Sequence, residues 1–321
     1  MNDSATSYSQ STFLDRAMPS VVNIAISMLG ILANLAVVVM VIRSQHLRQN
    51  CKYLQAALAA GDTMLCLGQT INSVGVIYYV AASSPRIVRW KCLLTSTVAT
   101  PAATAVMFSM VITACIALDR FFALLFPFKY WIANKSRVCA VCTCVALAIS
   151  CSCSVAAWLD VDLYDYPVGC IGAASRSRKW NSLINYFNSG AGGLVLIVYP
   201  LTMIIMKTKT SKLAKHKVGP RHLHTAYSMK QVEATRSITY VILGGLLLYV
   251  IPNSIVLILR SMSINVPNVA RYCIGMSSSI HPGMNCIFYV WKEPRMRREF
   301  KKLFGKTSTN VVGPALVSTH R

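Results

Sequence analysis

Residues 92–130, CLLTSTVATPAATAVMFSMVITACIALDRFFALLFPFKY, carry no charge until Asp119 and Arg120 arrive side by side, and the next charge is Lys129. An apolar run of this length reads as a helix that crosses a bilayer, because a hydrocarbon core of roughly 30 Å takes about 20 apolar residues. A carboxylate beside a guanidinium at the end of such a helix is costly near hydrocarbon, which marks the pair as functional rather than incidental. Seven residues beyond Arg120, Pro127 lacks a backbone donor and is expected to stop or bend the helix.

Outward from this stretch the same pattern repeats. The 321 residues are 55% hydrophobic and only 13% charged, whereas a soluble domain carries about a quarter charged residues. Seven apolar stretches qualify as spans: Val21 to Ile42, Tyr53 to Val80, Cys92 to Leu118, Val138 to Leu159, Leu183 to Met206, Ile238 to Leu259 and about Val269 to Trp291. The expected fold is therefore an all-α membrane protein, a seven-transmembrane helix bundle over 20–292. It is flanked by an outer tail at 1–19, a short amphipathic helix at 293–304 and a disordered inner tail at 305–321. The start of the chain shows no basic run ahead of a short apolar segment, so no cleaved signal is expected.

Charge sets the orientation. With the C-terminal side in the cytoplasm, 23 of the 32 lysines and arginines fall on inner segments, as the positive-inside rule requires, and the N-terminus lies outside. The net charge of +22 then reflects attraction to anionic inner-leaflet lipid. Nucleic acid is the weaker reading, because the basic residues sit in short loops between spans.

LDRFFALLFPFKY (118–130) resembles the end of the third helix in rhodopsin-like G-protein-coupled receptors, and its FPFKY tail is similar to the nematode serpentine chemoreceptors of the srsx class. IRSQHLRQNCKYLQAALAAGD (42–62) resembles the same class in its basic first inner loop leading into helix two. The resemblance implies an activation switch in which Asp119 and groups on helix six hold Arg120 until helix six moves. Phe121 stands where Tyr is usual. Tyr199 matches a Tyr that steadies the active state, Pro252 supplies the kink of helix six, and Asn285 and Tyr289 match a motif at the end of helix seven. Val250 replaces the family's Trp in helix six, leaving Leu246 and Tyr249 to relay the change, and Glu233 is a second candidate partner for Arg120.

Asp62 lies well inside an otherwise uncharged span, where a carboxylate must be protonated, paired or bound to a cation. The resemblance implies a sodium ion held there with Ser109 and Asn285. His281 replaces a usual Asn and could supply a cation itself, so sodium binding and pairing with His281 both stand. Asn34 is expected to be a structural anchor facing the second helix.

Most of the twelve cysteines fall in apolar stretches, where the side chain packs like Ala or Ser. Cys92 and Cys170 instead fall at the expected outer face, where a disulfide bond between them would tie the second outer loop over the bundle mouth. Asn2-Asp3-Ser4 is a glycosylation sequon. Ala102 occupies the position that holds an Asp in amine receptors, which disfavours cationic amines. A mainly uncharged pocket among Ala102, Met107, Tyr186, Asn253, Tyr272 and Met276 would suit an apolar compound.

No HExxH, nucleophile elbow or phosphate-cradling glycine loop appears, so no enzyme and no cofactor beyond sodium is expected. The leading reading is a plasma-membrane receptor, multi-pass, that couples an extracellular chemosensory compound to a heterotrimeric G protein. A neuropeptide receptor is the alternative within the class. The different-class alternative is a seven-helix transporter or ligand-gated channel, which should show internal repeats or paired broken helices, and no clear period is found.

Overall fold

The computed structural model describes residues 3–44, 52–81, 88–94, 102–132, 134–156, 164, 178–215, 238–262, 264, 268–292 and 294–305. Those residues are helical throughout apart from a few turn positions. In chain order the helices are α1 (Asp3–Arg43), α2 (Tyr53–Ala81), α3 (Arg89–Leu94), α4 (Ala102–Leu125), α5 (Pro127–Ile132), α6 (Lys135–Ala156) and α7 (Arg178–Lys215). After them come α8, whose spanning part is Ile238–Leu259, α9 (Asn268–Lys292) and α10 (Pro294–Phe304).

Five of these are long and apolar enough to cross a membrane by composition alone: α1, α4, α6, α7 and α8. The other two long helices, α2 and α9, are diluted by the polar residues they carry inward, among them Gln55, Asp62, Ser73, Ser279, His281 and Asn285, all buried. Their faces away from the bundle stay apolar, with Leu67, Val74, Ile280 and Ile287 exposed. Such outward apolar rows suit a surrounding of hydrocarbon, where every backbone group must be satisfied within the helix.

α4 sits at the centre. Half of its spanning window is buried inside the protein, against 17% for α6 at the periphery. Its Phe108, Ile112 and Ile116 join a core with Val37 and Val41 of α1, Leu58 of α2, Val198 and Tyr199 of α7, Ile242 of α8 and Tyr289 of α9. Because lipid tails are as apolar as these side chains, close fit and hydrogen bonds between helices hold the bundle. Two glycines show the fit. A Cβ on Gly61 would lie 2.6 Å from the Phe108 ring and 2.8 Å from Ser109 Oγ, so only Gly lets α2 approach α4 there. A Cβ on Gly245 would meet His281 Nε2 at 2.9 Å, which seats α8 against α9.

Helix ends follow the prolines. α4 stops at Leu125, and Pro127 opens α5 at a position where its missing N–H costs nothing. In α8 the five residues Leu246–Val250 form a π-helical turn, with the Ile251 N–H bonded to the Leu246 carbonyl. Pro252 has no N–H to return to the carbonyl four residues back, and the wider turn takes up the mismatch. α7 carries Pro200 without interruption.

α1 begins at Asp3, within the segment expected to be a tail, and its spanning part is Ala17–Arg43. At the other end α10 buries Met296 completely and packs Phe300 and Leu303 on the core, leaving Arg297, Arg298, Lys301 and Lys302 toward solvent. The Arg297 guanidinium donates to the Trp291 carbonyl and so caps the end of α9, where a cation also suits the helix dipole.

Candidate functional site

The C-terminal end of α4 holds its arginine in a closed arrangement. Arg120 is only 7% exposed. Its Nε donates to Asp119 Oδ2 at 2.9 Å, and its Nη2 bonds the same oxygen. The turn at Pro127 brings Tyr130 back over the pair, where its hydroxyl donates to Asp119 Oδ1 at 2.9 Å and accepts from Arg120 Nη2 at 3.2 Å. Charge-assisted bonds of this kind are roughly twice as strong as neutral ones. Within LDRFFALLFPFKY the sequence alone assigns Tyr130 no role in holding Arg120. The available signal was its place ten residues after Arg120, across a proline that folds the chain back.

Nearby contacts fasten the neighbouring helices. Phe121 is half-buried against the core, with its ring 5.8 Å from that of Phe122. The Tyr199 hydroxyl of α7 donates to Thr239 Oγ1 of α8, and that hydroxyl in turn reaches Met203 Sδ at 3.7 Å. Tyr289 is fully buried in the core. Above this level the π turn is gripped from two sides, since Val250 lies so close to Gly192 of α7 that a Cβ there would meet it at 2.6 Å. On the other side Tyr249 faces His281 of α9 with ring centroids 6.3 Å apart. Glu233 falls outside the described residues.

A second polar cluster lies at mid-bundle. Asp62 is fully buried. It accepts from Ser109 Oγ at 3.0 Å and from Asn285 Nδ2 at 2.6 Å, which joins α2, α4 and α9. Asn285 Oδ1 is buried with no hydrogen-bond partner among the described residues. Asn34 stays on its own side of the cluster, donating to the Gly30 carbonyl at 2.9 Å and to the Pro282 carbonyl of α9 at 3.0 Å. It therefore anchors α1 to α9 and not to α2, a correction to the expectation. Pairing of His281 with Asp62 is not observed either: His281, one turn earlier on the same side of α9 as Asn285 and so about 6 Å along the axis from it, packs on Gly245 and Tyr249.

The structure also shows a polar seam that the sequence did not suggest. Asn23 Nδ2 donates to Ser73 Oγ at 2.8 Å, the Ser279 hydroxyl donates to Asn23 Oδ1, and Ser27 donates to Gln69 at 3.4 Å. These bonds stitch α1 to α2 and α9 on the N-terminal half of the spanning part of α1.

The expected pocket residues are dispersed in environment. Met107 is fully buried, Ala102, Asn253 and Met276 are half-buried, and Tyr186 is 60% exposed. Asn253 donates its amide to the Tyr249 carbonyl of its own helix at 2.8 Å. The Tyr272 side chain lies outside the described residues, as do Asn2 and Cys170. Cys92 in α3 is fully buried and disulfide-bonded, its partner falling outside the described residues.

Membrane-length helices around a buried carboxylate, with a clamped arginine at one end of the central helix, define an all-α serpentine membrane protein. Residues 27–304 match the family model of the serpentine-type 7TM GPCR chemoreceptors, Srsx, and the chain belongs to that family. The match ends at the last residue of α10, so it takes in the amphipathic helix as well as the bundle. The family is one of receptors and not of enzymes. No curated protein matches the chain.

Proposed function

We propose that this chemoreceptor works by a rhodopsin-like switch, in which an extracellular small molecule releases Arg120 on the cytoplasmic side and so opens a site for a heterotrimeric G protein. The observation that carries the reading is the clamp of Arg120 by Asp119 and Tyr130 at the end of the most buried helix. A guanidinium held there is poised between two partners, and a ligand that binds better to the released form shifts the balance. The Tyr199–Thr239 bond and the π turn before Pro252 supply the moving part. π turns inside helices often mark functional hinges, and α8 can tilt about this one while its two ends stay helical.

An uncharged compound is the ligand this reading favours, because Ala102 offers no counter-ion to an amine. The N-terminus outside and a plasma-membrane location complete the reading, supported by the distribution of lysine and arginine. A sodium ion at mid-bundle would be held by Asp62, Ser109 and the unpartnered oxygen of Asn285, and it would supply the charge that balances the carboxylate. We further propose Cys170 as the partner of Cys92.

The test is Arg120→Ala in cells screened against a chemical library to find an activating compound. Surface expression should persist while ligand-stimulated nucleotide exchange on the G protein is lost. Unchanged exchange at equal expression would reject the switch.

A further inference from the structure

A cavity of about 430 Å³ opens beside the Arg120 clamp, between α2, α4, α5 and α6. Its walls include Leu54, Leu118, Phe122, Val138, Cys139 and Cys142, and they are almost wholly apolar. The volume falls in the range of small-ligand pockets. Two cations stand among the lining residues. Lys135 Nζ lies 4.9 Å from the centroid of the Tyr130 ring, and Lys129 Nζ lies 6.0 Å from that of Phe126, with both rings part of the lining. Among the described residues neither ammonium has a carboxylate within ion-pair distance, because the nearby Asp119 is engaged by Arg120 and Tyr130.

An apolar slot of this size, bordered by lysines that aromatic faces hold in place, matches an amphiphile with one apolar chain and a negative head. The cavity also lies on the face where Phe122 of α4, Phe126 just after it and Val138 of α6 are exposed, so a lipid can enter sideways. We propose that it binds an anionic phospholipid of the surrounding leaflet, with one acyl chain among Leu54, Leu118 and Cys142 and the headgroup on Lys129 and Lys135. Asp119 and Tyr130 line the same cavity. A negative head repels the Asp119 carboxylate unless that group stays turned onto Arg120, so occupancy favours the closed clamp. This consequence, and the assignment to the inner leaflet, rest on the proposed switch and orientation; the binding itself does not.

The experiment is native mass spectrometry of the full chain, released from nanodiscs containing phosphatidylcholine with and without phosphatidylserine. The expected result is selective retention of phosphatidylserine. It should fall at least severalfold in the Lys129→Ala/Lys135→Ala double variant and in Val138→Trp, which fills the slot from its exposed side. Lys301→Ala/Lys302→Ala, on α10, should retain the lipid and controls for a general charge effect. Circular dichroism of each variant confirms that it is folded. Equal retention of both lipids, or retention unaffected by the cavity variants, would overturn the proposal. So would retention of neither lipid by the unmodified chain together with loss of G-protein activation in Val138→Trp, which would assign the slot to the protein partner. Selective retention without any effect of phosphatidylserine on basal nucleotide exchange would leave the site standing and overturn its coupling to the clamp.

Discussion

Tyr130→Phe isolates the clamp, because it removes one oxygen and keeps the ring. That oxygen donates to Asp119 at 2.9 Å and accepts from Arg120 at 3.2 Å. A hydrogen bond to a charged group contributes about 1.5–3 kcal/mol when sheltered. The side chains of Asp119 and Arg120 are 15% and 9% exposed, so water replaces part of the loss and the net cost to the closed form is about 1 kcal/mol. A difference of that size moves a two-state equilibrium by about fivefold. If the closed form dominates without ligand, ligand-free nucleotide exchange on purified G protein should rise by about that factor, with surface density matched to the unmodified receptor. Lys135, which rests on the Tyr130 ring, keeps its contact in the Phe variant, so the change reports on the hydroxyl alone. Basal exchange equal to or below that of the unmodified chain would refute the clamp. A fall in ligand-stimulated exchange with an unchanged basal rate would instead make Tyr130 part of the surface that meets the G protein.

Gly61→Ala forces a methyl to within 2.6 Å of Phe108 and 2.8 Å of Ser109 Oγ; overpacking of this kind costs about 1–3 kcal/mol, and a clear drop in the thermal midpoint of detergent-solubilised protein checks it. Asn34→Ala deletes one bond between helices, to the Pro282 carbonyl, and one within α1, to the Gly30 carbonyl; with an interhelical bond contributing about 0.6 kcal/mol, it should destabilise by up to about 1 kcal/mol and leave any sodium effect intact. Asp62→Asn removes the charge while keeping the shape, and it should abolish the difference in thermal midpoint between sodium and choline buffers; a difference that persists would remove sodium from the Asp62 cluster. Cys170→Ser should impair surface delivery and expose a Cys92 thiol to alkylation, and normal trafficking with Cys92 still protected would exclude the bridge.

Most of the architecture was legible because hydropathy is local and additive. A run such as Val21 to Ile42 or Val138 to Leu159 declares itself by length alone, and helices α1 and α6 cover nearly those residues. Proline is equally local, so the end of α4 before Pro127 followed from one residue. The Asp119–Arg120 pair was legible for the same reason: adjacent opposite charges at the edge of an apolar stretch need no tertiary information to stand out.

What required the fold was the choice of partners. Asp62 and Asn285 lie 223 residues apart, and only the packing of α2 on α9 brings a carboxylate and an amide within 2.6 Å. The resemblance left His281 as open a partner as sodium, yet its place one turn earlier along α9 sets it beside Tyr249 and the π turn. The π turn itself depends on register between α7, α8 and α9 as well as on Pro252. Asn34 met Pro282 rather than helix two, and Tyr130 joined the clamp, because side-chain direction is set by helix phase after packing. Along the chain, then, the sequence by itself determined which segments enter hydrocarbon and where they stop. The tertiary structure decided which polar groups satisfy one another inside it, since in a medium without water each buried donor must take whichever acceptor the neighbouring helix presents.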